Sequence, residues 1–181
     1  MRKTTRDLTQ TALMLALLIA LQALTKGFGQ LVTGSCVNGI LAITALYCGF
    51  GSGVTVALLS PILAFLLGIA PQVLTVPAIM VGNTIYVALL AAIAGKGKAS
   101  LLRCGIAWIT AAAAKFAALY AIVTWLICGV FSQNLLDAGL LKAPMLKALP
   151  ATFGIPQLIT ALIGGGIALA IVPLLKKALR K

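Results

Sequence analysis

Lys115 stands at the end of Ala111-Ala112-Ala113-Ala114, near the middle of an apolar run from about Leu101 to Val130. An ammonium that far from either end of the run does not reach water comfortably, and a charge at the bilayer centre costs at least ~2.5 kcal/mol. The chain has no histidine and two acids, Asp7 and Asp137, both read as loop or helix-end residues. Two states of Lys115 are therefore open. It is neutral or bonded to carbonyl groups inside the bundle, or its counter-ion is a carboxylate or phosphate of a bound solute. The second is the expectation carried forward, with a cationic solute disfavoured by repulsion. An inward fold of the loop holding Asp137 would supply a partner and remove that argument. At 3.6 residues per turn, Trp108, Ala111, Ala112 and Lys115 share a face. The alanines there would leave a recess between an aromatic wall and the ammonium, a plausible pocket.

Three further sets of polar side chains are candidates for orienting a small solute. Gln72, Asn83 and Tyr86 fall on one face of an apolar run from Val73 to Ala94, and Gln157, Thr160 and Gly164 on one face of a later run. Gln30, Thr33, Ser35 and Asn38 lie in a polar stretch, Lys26 to Gly39, read as an external loop. Polar side chains on membrane helices also tie helices together, so either role is open to the helical sets, and the loop set could be an ordinary solvated connection. Catalysis is not expected. Membrane hydrolases and metalloenzymes need His, Asp or Glu constellations, and none can be assembled here. Cys36, Cys48, Cys104 and Cys128 have no CxxC spacing and read as small buried hydrophobes, so no metal or other cofactor is implied. The Gly95–Ser100 turn fails the phosphate-loop spacing. No acid or imidazole is available in the membrane as a proton relay, so uphill transport would draw its energy from a partner.

The elements that hold these residues follow from hydropathy. Of 181 residues, 62% are hydrophobic and 9% charged, too few charges to clothe a water-facing surface. The expected architecture is all-α, a single-domain bundle of six transmembrane helices in the lipid bilayer. The spans are about Leu8–Leu24, Ile40–Phe50, Val54–Ile69, Val73–Ala94, Leu101–Val130 and Thr152–Leu175. Thr4-x-x-Asp7 reads as a capping box before the first. Arg2, Lys3, Arg6, Lys96, Lys98, Arg103, Lys176, Lys177, Arg180 and Lys181 fall on one side, and Lys26, Lys142 and Lys147 on the other. The positive-inside rule then makes both termini cytoplasmic. The net charge of +12 sits at the ends of apolar runs, not on one basic face, which argues against nucleic acid. Ala12, Ala16 and Ala20 form a small-xxx-small groove on the first span, open to close approach by another helix.

Taken together, these features resemble the S-component of an energy-coupling factor transporter. The similarity rests on the length, the six spans with both ends inside, the Ala12/Ala16/Ala20 stripe, the Leu31–Asn38 segment and the Gly82-Asn83 pair. The resemblance implies high-affinity capture of a vitamin or similar micronutrient from outside, in a pocket built by the first loop and the last three helices. It also implies that the first-helix alanines meet a transmembrane coupling protein driven by two cytoplasmic ATPases, and a bacterial cytoplasmic membrane location. A self-sufficient carrier or facilitator for a small neutral solute, and a membrane scaffold that transports nothing, are the competing readings.

Overall fold

In lipid, a backbone without water must bond to itself, and a helix does so within one segment. The computed structural model, which describes residues 3–69, 72–95 and 100–178, obeys that constraint with helices throughout. Helix α1 (Lys3–Thr25) passes through a 3-10 turn, Lys26–Phe28, to α2 (Gln30–Ile43), which continues as a π-helical turn, Thr44–Cys48. Next come α3 (Phe50–Leu66), a 3-10 turn at Val73–Thr75, and α4 (Val76–Ala94). Helix α5 (Leu101–Leu119) runs on as a π-helical segment, Tyr120–Val130. Two short helices, α6 (Ser132–Asp137) and α7 (Met145–Phe153), precede the long α8 (Ile155–Ala178).

Among the described residues, five helical stretches are long and apolar enough to cross a membrane: Thr5–Phe28, Gln30–Cys48, Val73–Ala94, Leu102–Val130 and Met145–Ala178. The last of these contains both α7 and α8 and is interrupted at Gly154. The third expected span, Val54–Ile69, corresponds to α3, apolar but only 17 residues long. At 1.5 Å per residue it covers about 26 Å, a little under the ~30 Å hydrocarbon core.

Three local expectations are corrected. Helix α1 already includes Lys3, so Thr4-x-x-Asp7 lies within its first turns and is no N-terminal cap. The segment expected as the first external loop is helical: α2 starts at Gln30, and the chain turns instead at Gly29, whose φ of +85° suits glycine. Gln72 precedes α4 in extended backbone, so it does not share a helical face with Asn83 and Tyr86. Of the basic residues assigned to one side, Arg2, Lys96, Lys98, Arg180 and Lys181 lie outside the described residues, as does most of the Gly95–Ser100 turn.

Packing falls into two apolar cores. The larger joins α1, α2, α3, α4, α5 and α8 around residues such as Leu18, Leu41, Val56, Val87, Ala111 and Ala161. The smaller sits where α7 covers the π-helical end of α5 and the start of α4, around Ala78, Leu119, Val123, Leu141, Leu149 and Phe153. Helices α2 and α8 approach almost backbone to backbone. A Cβ on Gly164 would lie 2.5 Å from the Gly39 nitrogen and 2.5 Å from the Ser35 carbonyl oxygen. A Cβ on Gly165 would strike Trp108 and come within 2.7 Å of the Tyr86 hydroxyl. Small residues at such crossings are what membrane helices need in order to gain dispersion contact. Gly164→Val should therefore lower stability by roughly 1–3 kcal/mol or more, as overpacking does. Thermal unfolding of the detergent-solubilised protein checks this, and an unshifted midpoint would mean that α2 and α8 do not meet as described.

Candidate functional site

The small residues on α2, α4 and α8 draw those helices and α5 together, and where they meet, the polar side chains have no water to turn to. Asn38 of α2, Asn83 and Tyr86 of α4, Lys115 of α5 and Thr160 of α8 are all buried, none more than 2% exposed. Lys115 Nζ donates to Asn38 Oδ1 at 2.5 Å and to Asn83 Oδ1 at 2.7 Å. It also lies 5.5 Å from the centre of the Tyr86 ring, within range for a cation–π contact. Asn38 Nδ2 donates to Thr160 Oγ1 at 3.1 Å, and that hydroxyl donates to the Gln157 carbonyl. Neither acid comes near this network. Asp7 is exposed on α1, and Asp137, exposed at the end of α6, accepts a hydrogen bond from Gln133 Nε2.

Two hydrogen bonds to α8 brace the cluster. Tyr86 Oη donates to the Ala161 carbonyl at 3.0 Å, and Trp108 Nε1 to the Leu162 carbonyl at 3.0 Å, pinning α4 and α5 to the same turn of α8. The shared face of Trp108, Ala111, Ala112 and Lys115 does turn inward, but the expected recess is filled. Ala111 and Ala112 have no accessible surface, and Trp108 packs over Gly165 and Gly166. Two open clefts lie elsewhere. One of about 360 Å³ is lined by Phe116, Tyr120, Pro150, Gly154, Ile155 and Pro156. The other, of about 380 Å³ and apolar, lies along α3 and α4 at Leu58, Pro77, Met80 and Ile85.

The remaining candidates are dispersed. Gln157 is buried one turn before Thr160 on α8, its Nε2 making only a long 3.5 Å contact with the Thr152 carbonyl. Ser35 bonds back to the Leu31 carbonyl, Thr33 to the Thr25 carbonyl, and Gln30 is exposed at the start of α2. Gln72 Nε2 contacts Met145 Sδ at 2.8 Å, well away along the chain from the Lys115 cluster. Chemically, the cluster is a donor-rich site built on one lysine amine, with no acid beside it. Its one unmatched group is Asn83 Nδ2, which finds no acceptor among the described residues. A buried amide N–H left so costs about 1–3 kcal/mol. No group here can act as a nucleophile–base pair, and no cluster of three or more His, Cys, Asp or Glu occurs among the described residues. What the arrangement does in the structure is tie α2, α4, α5 and α8 to one another through buried hydrogen bonds.

Compared with known protein families, residues 6–176 match the family described as ECF transporter, substrate-specific component. The chain belongs to that family. It is a membrane protein of a transport system, a substrate-binding component, and the family is not an enzyme class. No curated protein and no solved structure gives a match. Within the S-component, the stripe of Ala12, Ala16 and Ala20 lies on the exposed side of α1, while Leu18 of the same helix is buried in the core.

The cage around Lys115 makes its own prediction. With the ammonium present, Asn38→Leu plus Asn83→Leu strands a buried charge and should cost about 3–5 kcal/mol, as breaking one side of a buried pair does. Adding Lys115→Met to that double variant should recover much of the loss, because no polar group then remains unmatched. Melting temperatures of the three proteins in detergent test the coupling. Additive effects would show that these side chains do not form one network.

Proposed function

We propose that this S-component is the high-affinity capture subunit of an energy-coupling factor importer, taking a small anionic vitamin or related micronutrient from outside a bacterial cytoplasmic membrane. In this reading α3 completes six spans and both termini are cytoplasmic, so that α7 and the outer apolar core face the exterior. The observation that carries the reading is Lys115, a buried ammonium in a substrate-binding family, surrounded by amides and an aromatic ring and by no acid. A bound anion would neutralise it and keep it charged, where the alternative is loss of its proton.

Delivery belongs to partners. The chain has no nucleotide-binding loop of the expected spacing and no acid placed for proton coupling. A transmembrane coupling protein and two cytoplasmic ATPases would supply the energy. Ala12, Ala16 and Ala20 are the contact surface proposed for the coupling protein, because they are exposed, small and one helical turn apart. They also lie on the opposite side of α1 from its buried contact, Leu18.

Uptake and binding measurements test this reading. Replacing Ala12 and Ala16 by Leu should abolish uptake in cells that carry the coupling module while leaving binding by the purified chain unchanged. Joint loss of binding and uptake would move the stripe into the internal core. Uptake by the wild type in cells lacking any coupling module would instead place the chain among self-sufficient carriers. Lys115→Met keeps the length of the side chain and removes its charge. Isothermal titration with biotin, pantothenate, nicotinate and lipoate should identify an acid that the wild type binds, and the variant should bind it at least about tenfold more weakly, ~1.4 kcal/mol. Equal affinity would make Lys115 purely structural.

A further inference from the structure

Resting on that reading, we infer that the cluster recognises a monocarboxylate through a two-donor clamp formed by Lys115 Nζ and Asn83 Nδ2. The argument counts hydrogen-bond donors and acceptors. Lys115 has three N–H groups, of which two go to Asn38 Oδ1 and Asn83 Oδ1 and the third faces only the Tyr86 ring. Asn83 spends its oxygen on Lys115, which leaves its Nδ2 without an acceptor. With Lys115 charged, the amide cannot be turned over to cure this, since Nδ2 would then point a donor at an ammonium. Rotation exchanges one fault for a worse one. The site is thus short of acceptors and carries one positive charge.

A carboxylate matches both deficits. One oxygen takes the third N–H of Lys115 and the other takes Asn83 Nδ2. Its two oxygens sit about as far apart as the oxygen and nitrogen of the amide beside it, so one planar group can serve both donors. The single negative charge then cancels the single positive one. A phosphate monoester fits less well, because it brings a third charged oxygen and nearly two charges to a site with two donors to offer. A neutral amide would supply one acceptor and add two donors to a cluster that already has too many.

The surroundings describe the rest of the solute. One turn from the clamp toward α7 lie Ala78 on α4 and Leu119 on α5, with Phe153 and Leu149 closing over them. The body attached to the carboxylate is therefore apolar or aromatic where it leaves the clamp. In the closed arrangement described, the cluster is sealed, so entry requires α7 and this apolar lining to part.

Asn83→Asp tests the clamp. It places a carboxylate beside Lys115 within the chain and deletes Nδ2, with almost no change of shape. The wild type and the variant are compared by melting temperature in detergent against nicotinate and nicotinamide, biotin and biotinamide, pyridoxal 5′-phosphate and thiamine. Small molecules released from the wild type by denaturation are identified by mass spectrometry. The expected result is that the wild type releases or is stabilised by a monocarboxylic acid and not by its amide. The Asp variant, folded at least as stably when nothing is added, should need at least about tenfold more of that acid for the same shift. Should Asn83→Asp not fold, Asn83→Ser removes the same donor without a charge and should weaken the acid's binding likewise. The clamp is overturned if acid and amide bind alike, if the phosphate ester or thiamine is the molecule bound, or if the variant that folds binds the acid as the wild type does. Those results leave the substrate-binding reading standing. If the wild type releases nothing and none of the six compounds shifts its melting temperature, the anionic-vitamin reading fails and the clamp with it.

Discussion

A lysine amine at membrane depth with no acid to meet it is the constraint from which the rest of this bundle can be understood. Lys115 could not sit in α5 facing lipid, where neither oxygen nor aromatic ring would attend it. It sits inward, and two amide oxygens on two other helices converge on its ammonium, with the Tyr86 ring beside it. Each of those groups must in turn be held. Asn38 is oriented by Thr160 of α8, and Tyr86 by the Ala161 carbonyl of the same helix. One buried amine thus recruits side chains from α2, α4, α5 and α8. Helices α1 and α3 take no part in the cage, and α1 is the least buried of the apolar helices.

The glycines make that convergence possible. Side-chain amides are short, and they reach a common point only if the helix axes are close. Gly34 faces Thr160, Gly164 faces the backbone of α2, and Gly82 faces Leu119, each at distances that a Cβ would violate. Hydrophobic burial gives helices in lipid little reason to associate, so dispersion at these crossings and the buried hydrogen bonds carry the association. The two contributions reinforce each other. The glycine crossings bring the amides into range, and the amides fix the rotation of each helix about its axis, which glycine contacts alone would leave loose.

Much of this was legible in the sequence, and the part that was not has a definite physical cause. The 3.6-residue period placed Asn83 with Tyr86, Gln157 with Thr160, and Trp108 with Lys115 on shared faces, and all but the partly buried Trp108 are buried. The isolation of Lys115 from any acid was also readable, since the chain has only two. What hydropathy could not see was that Gln30 to Asn38 is helix. Polar residues normally mark where a chain leaves the membrane, but here their groups are satisfied from within: Ser35 by the turn before it, Thr33 by the end of α1, and Asn38 by Lys115 and Thr160. The signal available was Gly29, whose lack of a Cβ lets it take the turn. Asn38 was thus a candidate for the wrong reason, as a loop residue, when it is one of the two ligands of the ammonium. Gln72 failed the other way, because a face drawn on a continuous helix does not survive the 3-10 turn at Val73–Thr75.

The unequal strength of the two apolar cores bears on how such a site can both hold and release. Around the cage, helices meet through backbone contacts that tolerate no added atom, and a displacement there would break hydrogen bonds in a medium that offers no replacements. The smaller core under α7 is different. Its members, Leu141, Leu149 and Phe153 with Leu119 and Val123, make apolar contacts that carry no direction. Helix α7 itself is nine residues long and contains Pro150, and Gly154 separates it from α8. Sliding apolar surface over apolar surface costs far less than parting a hydrogen-bonded network, because no polar group is left unmatched on the way. The stiffness therefore lies at the ammonium, where a solute would be recognised, and the compliance lies at the α7 end, where it would have to pass. A chain that had placed its directional bonds under α7 and its sliding contacts around Lys115 would be rigid at the entrance and indefinite at the site.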